Sequence, residues 1–431
     1  MAARAKPWAR QSSSTADLAS EGVTASVLGA IGRYENSKLS TRHQSIELRR
    51  GHARLCAVLA DVNVMELLAN TAKVIVAFGA IMSLIPMLIY LERKICAWIQ
   101  HRAGPNKVGL PNWAILGPMK GWHAWGLLQP LADVVKLLFK EDFVPRRADK
   151  ILFFLAPALV FVPIALAFSV IPFGWGASFG EGADGFFVKY QIADFGAGVL
   201  FAFAVSSVAV HGLTLAGWAS YNKFAQMGAV RASAQLISYE AAMFMAVLAV
   251  VMQAGSLKLD EIVLTQTTSV PALGNLWGLL EWNLFRQPFA FVIFLICAFA
   301  ETNRLPFDFP EAEPELIAGY HIEYGSMKFG LFFLGEYYGM VVQSALITTL
   351  FLGGWTLPGI PAKPDTFWMS LTGPIIFSVK VFIILMLYIQ VRWTLPRFRF
   401  DQLMSLGWKK LIPLSLLNLV GTAVLGVMMS R

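Results

Sequence analysis

The sequence predicts an all-α polytopic membrane protein with eight transmembrane helices and one amphipathic interfacial helix. Three observations carry that expectation. Hydrophobic residues make up 56% of the chain and mean hydropathy is +0.59. Charged residues make up only 14%, against about 25% in a soluble domain. Eight apolar segments come close to the roughly 20 residues that cross a hydrocarbon core.

Those segments run over 67–91, 150–172, 194–219, 235–254, 286–304, 331–356, 370–393 and 409–429. Basic residues set their orientation by the positive-inside rule. The segment 92–149 carries Arg93, Lys94, Arg102, Lys107, Lys120, Lys136, Lys140, Arg146 and Arg147. Lys223 and Arg231 lie near 220–232, and Arg397 and Arg399 lie near 394–408. The alternate loops hold few cations, so the first set is expected to be cytoplasmic.

Residues 1–65 conflict with that orientation. They would lie outside, yet 1–64 carries nine Lys and Arg. We read 1–65 as a disordered, non-native or targeting extension. It is either an over-extended start, with the functional chain opening at Met65, or a presequence in which Arg4, Lys6 and Arg10 precede Asp17. The transmembrane domain is then 66–431.

Between the first two spans, Leu131, Val134, Val135, Leu138 and Phe139 recur at helical spacing, with Asp133, Lys136 and Lys140 opposite. This pattern predicts a helix lying at the membrane surface. It is either a plain anchor or the floor of a site.

The net charge of +8 does not indicate nucleic acid, because the cations sit in short loops between apolar spans. Cys56, Cys96 and Cys297 are far apart and form no C-x-x-C pair. Iron–sulfur clusters and structural zinc require clustered thiolates, so no metal site is expected on this chain. No Gly-rich nucleotide fingerprint follows a strand.

Charge concentrates behind the fifth apolar segment. Glu301-Thr-Asn-Arg304-Leu-Pro-Phe-Asp308-Phe-Pro-Glu311-Ala-Glu313-Pro-Glu315 holds five carboxylates and one arginine. Ionisable groups near hydrocarbon are costly and tend to face a cavity, a partner or an ion path. Pro306 disfavours helix at Leu305, so the helix is expected to stop near Arg304. Irregular backbone beside a membrane is tolerated where protein or a water-filled cavity covers it. Phe307 and Phe309 would supply apolar walls. Arg304 can fork to a carboxylate or to a ligand oxygen. The competing reading is a solvated acidic loop.

Glu240 lies inside an apolar run, where a lone carboxylate is costly unless it is neutral or paired. It is either a structural hydrogen-bond partner, aided by Ser238 and Gln235, or a proton carrier. Glu336 sits about one turn into the sixth span. Leu91-Glu92-Arg93-Lys94, followed by Gly104-Pro-Asn106, reads by itself as anchoring and turn chemistry.

Taken together, these motifs resemble the NuoH family, the quinone-site membrane subunits of NADH-quinone oxidoreductase (respiratory complex I), over roughly 66–430. The motifs are Leu91-Glu-Arg-Lys94, Gly104-Pro-Asn106, Gly126-Leu-Leu-Gln-Pro-Leu-Ala-Asp133 with Lys136, Arg231-Ala-Ser-Ala-Gln235 with Ser238-Tyr-Glu240, and Glu301 through Glu315. Each is modest alone; the five in this order are specific.

The resemblance implies the quinone-binding, energy-coupling membrane subunit of a proton-translocating enzyme. No redox centre would lie on this chain, with FMN and Fe-S clusters on partner subunits and quinone as substrate. It implies a quinone cavity lined by Glu92, Arg93, Asp133, Arg304, Phe307, Asp308, Glu311, Glu313 and Glu315. It implies a proton path through Glu240, Glu301 and Glu336. Expected partners are the hydrophilic-arm subunits at the quinone site, small membrane-arm subunits and membrane lipid. The expected location is a bacterial inner membrane, or alternatively a mitochondrial one. An equivalent subunit of a membrane-bound hydrogenase or related dehydrogenase is the nearest rival, and a stand-alone secondary transporter is a more distant one. Pro314, where the family usually has a small residue, and the longer 110–125 segment depart from the family pattern.

Overall fold

The computed structural model describes residues 64–109, 124–179, 186–267, 278–310, 317–364 and 366–429. The expectations for 1–63, for most of 110–125 and for Glu311, Glu313, Pro314 and Glu315 lie outside these residues.

Helices form where the apolar runs predict them, and local chemistry sets their ends. Helix α1 spans Val64–Ile99 and α2 spans Gln129–Phe139. Helix α3, Lys150–Phe168, is capped by Asp149, whose side chain accepts from the Ile151 amide. Helix α4 covers Gly198–Ala219 and α5 covers Lys223–Ala254. Asn222 caps α5 at its start, and Gly255 ends it in the left-handed conformation at φ 71°. A short α6, Leu259–Thr265, precedes α7, Pro288–Glu301. Then follow α8, Ser326–Phe351, α9, Phe367–Thr394, and α10, Phe400–Leu406. A π turn at Gly407–Leu411 leads into α11, Ile412–Met429.

Seven of the described helices, taking α10 through α11 as one, are long and apolar enough to cross a membrane. The segment expected over 286–304 is the exception, so the count of eight does not follow from the helices. Pro288 opens α7, and Thr302 already leaves the helical conformation, so only 14 residues are helical. At 1.5 Å per residue these reach about 21 Å, short of a ~30 Å core.

Two further differences have local causes. The loop expected near 220–232 shrinks to three residues, because Asn222 nucleates α5 twelve residues earlier than hydropathy suggests. A small antiparallel ribbon, β1 Ala177–Phe179 with β2 Phe186–Val188, lies between α3 and α4. Neither strand is long enough to give a periodic signal.

The main core gathers α5, α7, α8 and α9 around Tyr239, Met243, Phe294, Ala298, Phe351 and Leu385, all buried. A second cluster packs Phe153, Val160, Leu213, Ala232, Tyr320 and Phe332. Helix α2 exposes Leu131, Leu138 and Phe139, as expected of an interfacial helix. The Ser326 hydroxyl donates to the Leu137 carbonyl at 2.9 Å and joins α2 to the start of α8.

Close packing also fixes the segment after α7. A Cβ on Gly228 of α5 would lie 2.8 Å from the Gly319 Cα and from the Tyr320 nitrogen. Only glycine admits this approach. Gln235 of α5 donates to the carbonyls of Ala300 at 2.8 Å and Phe307 at 2.9 Å. That one buried amide (0% exposed) satisfies the backbone left unpaired where α7 ends.

A candidate charged cluster and a buried carboxylate cavity

Glu92, near the C-terminal end of α1, is buried at 5% exposure and is the hub of the site. The Tyr337 hydroxyl donates to its Oε2 at 2.6 Å. Arg304 reaches its Oε1 at 3.4 Å, and Arg392 also donates to Oε1. The Arg304 guanidinium lies 4.2 Å from the centre of the Tyr337 ring. One carboxylate therefore meets two guanidiniums and a phenol, drawn from α1, α8, α9 and the turn after α7. A buried carboxylate needs such partners to remain charged. Two arginines against one carboxylate leave the cluster a local excess of one positive charge, suited to an electron-rich oxygen of a ligand.

Arg93 and Asp133 form a second pair at 2.6 Å between α1 and α2, and Gln129 adds a hydrogen bond to Asp133 at 3.2 Å. This pair is half-exposed, in contrast to the Glu92 cluster. The Tyr90 hydroxyl donates to the Trp125 carbonyl at 2.9 Å, which holds the approach to α2 beside α1.

The turn after α7 is anchored on both sides. The Phe307 ring stacks on Phe398 at 5.5 Å and meets Tyr239 at 5.7 Å. Phe307 is thus a core residue, where an apolar cavity wall was expected. Arg397 donates to the Asp308 carbonyl and lies 3.8 Å from its carboxylate. Asp308 serves this loop-to-loop contact and does not join the Glu92 cluster through any described ion pair.

Glu301 occupies a different environment from Arg304, three residues away. It lines a cavity of about 60 Å³ with Asn303, Tyr320, Glu336, Gln343 and Ser206. That volume admits several waters. The Glu301 Oε2 atom is buried and has no hydrogen-bond partner. Across the cavity, Tyr320 donates to Glu336 at 2.9 Å. Glu240 accepts from the Ser207 hydroxyl, one residue from the cavity-lining Ser206, and lies within electrostatic reach of Glu301. Glu301, Glu336 and Glu240 thus surround one wet region between α4, α5, α7 and α8.

Outside the spans, burial pushes the His321 imidazole down to about 4. Its ring packs against Tyr320 and Phe329.

Sequence reasoning misses Tyr337 and Arg392 as members of the cluster, and Tyr320, Ser207 and Gln235 as partners. Arg392 looks in sequence like a flanking topogenic cation. Tyr337 is adjacent to Glu336, which the sequence singles out, but its hydroxyl can be assigned to Glu92 only from the packing. Among the described residues no group of three or more His, Cys, Asp or Glu side chains could hold a metal ion.

The family model for NADH dehydrogenase matches residues 72–423. An NADH-quinone oxidoreductase membrane protein of Geobacter metallireducens, the first of its two H-type chains, is 46% identical over 83% of this chain and 96% of its own length. The corresponding H-type chain of the NADH-quinone oxidoreductase of Cytophaga hutchinsonii is 42% identical over 84% of this chain and 98% of its own. The NADH-quinone oxidoreductase subunit 8 of Rhodothermus marinus is 46% identical over 78% of this chain and 90% of its own.

Proposed function

The chain belongs to the NADH dehydrogenase family, and from that premise we propose that it is the quinone-binding, energy-coupling membrane subunit of a proton-translocating NADH:quinone oxidoreductase. The observation that carries this reading is a shared pair of elements. The end of α7 gives Arg304 to the charged cluster and Glu301 to the carboxylate cavity. Helix α8 gives Tyr337 to the cluster and its neighbour Glu336 to the cavity. A charge change beside Glu92 therefore acts on the same two elements that hold the buried carboxylates.

In this reading quinone is the substrate, and its headgroup lies beside Glu92, Arg304, Arg392 and Tyr337. Arg93 and Asp133 line the approach beneath α2, and Glu311, Glu313 and Glu315 contribute from the neighbouring loop. Reduction delivers electrons and takes up protons, which alters the field on Glu92 and Arg304. Glu301, Glu336 and Glu240 redistribute protons in response, because neighbouring carboxylates titrate as a coupled set. FMN and the Fe-S clusters belong to partner subunits of the hydrophilic arm. Small membrane-arm subunits and lipid cover the remaining apolar faces.

The eighth crossing would be α7 together with its flanks: the turn Asn283–Arg286 before it and the turn Thr302–Arg304 after it. The chain then ends on the side where it starts, and the basic segment 92–149 faces the cytoplasm of a bacterial inner membrane.

The test is Arg304→Ala in the assembled complex. Quinone reduction should fall steeply, while NADH oxidation by an acceptor that bypasses the membrane arm stays unchanged. Normal quinone reduction in an assembled variant would overturn the assignment.

A further inference from the structure

A second concave site lies away from the cluster and the carboxylate cavity. It is a cleft of about 390 Å³ between the segment before α3, the turn joining α4 to α5, and the loop before α8. Arg146 and Arg147 line one wall and Lys223 the other. All three are exposed, and none is ion-paired among the described residues. The one carboxylate in the cleft, Glu323, accepts a hydrogen bond from the Asn222 side chain at 2.7 Å. Three cations therefore face one carboxylate that is already engaged.

The surroundings identify the ligand chemistry. Tyr221 and Phe224 line the same cleft and are exposed, and Trp218 is exposed one turn before it. Amphipathic aromatics gather at the level of lipid headgroups. Ile151 and Phe154, on the first turns of α3, expose apolar side chains just beyond the two arginines in the chain. A cationic recess with an aromatic rim and apolar helix surface next to it fits a molecule with an anionic head and a hydrocarbon body. All of its walls are ends of membrane-length helices or their connections, on the side that the basic loops make cytoplasmic. That leaflet is where anionic headgroups attract basic residues.

We propose that this cleft binds the phosphodiester headgroup of an anionic phospholipid, held by Arg146, Arg147 and Lys223. The inference rests on the chain being membrane-embedded in the stated orientation. It does not depend on the quinone reading.

The test compares the wild-type complex with the triple variant Arg146→Gln, Arg147→Gln, Lys223→Gln. Both are placed in phosphatidylcholine nanodiscs containing phosphatidylglycerol, then extracted in mild detergent and weighed by native mass spectrometry. The wild type should retain one more phosphatidylglycerol than the variant, at equal subunit content. Equal retention overturns the proposal. Loss of a partner subunit from the variant with unchanged lipid also overturns it, because the cleft would then hold an acidic protein segment. If the variant does not assemble, a photoreactive phosphatidylglycerol headgroup is crosslinked to the wild type. Adducts on 145–147 or 220–224 support the site, and their absence overturns it. Arg304→Ala should leave the retained lipid unchanged, so failure here is distinct from failure of the quinone reading.

Discussion

The Tyr337 hydroxyl donates to Glu92 Oε2 at 2.6 Å, while the face of the same ring lies 4.2 Å from the Arg304 guanidinium. One side chain thus orients both partners of a buried ion pair, with its oxygen toward the anion and its π-face toward the cation. The pair itself is separated by 3.4 Å, so Tyr337 and Arg392 contribute much of what holds Glu92.

Tyr337→Phe keeps the ring and removes the donor. A hydrogen bond to a charged group is worth about 1.5–3 kcal/mol. The variant should assemble normally and lose roughly tenfold in kcat/KM for quinone, measured by steady-state NADH:quinone reduction. Unchanged kinetics would remove the Glu92 cluster from the quinone site.

Glu301→Gln preserves shape and removes the charge at a carboxylate with one unpartnered oxygen. Assembly and stability should hold, since a neutral amide is less costly to bury than an ion. Proton translocation in reconstituted vesicles should collapse, and coupled quinone reduction should fall with it. A variant with unchanged proton flux would exclude Glu301 from the path.

His321 predicts a specific pH dependence. Its folded value of about 4 lies below the ordinary 6.5. The unfolded chain therefore takes up the proton first as pH falls. Stability from this group is full above 6.5, is lost as pH drops towards 4, and changes no further below that. The loss is up to about 3 kcal/mol. His321→Phe should flatten the fall in thermal midpoint of the purified complex between neutral pH and pH 5, and an unchanged slope would assign the effect elsewhere.

Lys380 of α9 donates to the carbonyls of Leu352 at 2.6 Å, Gly354 at 3.0 Å and Thr356 at 2.6 Å, just past the end of α8. It serves as a buried C-terminal cap. Lys380→Met orphans these carbonyls, at roughly 1–3 kcal/mol each where water cannot enter. The thermal midpoint for release of this chain from the complex should fall, with little effect on the quinone KM. An unaltered midpoint would mean that water replaces the ammonium.

The helices are legible in the sequence because their signal is local. Length, hydropathy, Asn222 as a cap and Gly255 as a stop can all be read along the chain. The length of α7 misleads for an equally local reason. Hydropathy runs past Pro288 and up to Arg304, but hydrogen bonding does not, and only the second sets helix length. Phe307 resembles a cavity wall in sequence because its neighbours are charged. It packs inward because Phe398, ninety-one residues later, provides an apolar face for it.

By itself the sequence determined the membrane class, the order of apolar segments, the absence of clustered thiolates and the family, since each is a property of composition or of short motifs in fixed order. The tertiary structure decided which charges meet. Glu92, Arg304, Tyr337 and Arg392 span 300 positions of chain, and no periodicity relates them. The concentration of charge after α7 is resolved in the same way. Arg304 joins a buried ion cluster, and Glu301 faces a wet cavity, because the left-handed turn at Asn303 (φ 50°) and the Gln235 anchor separate two residues that the sequence places side by side.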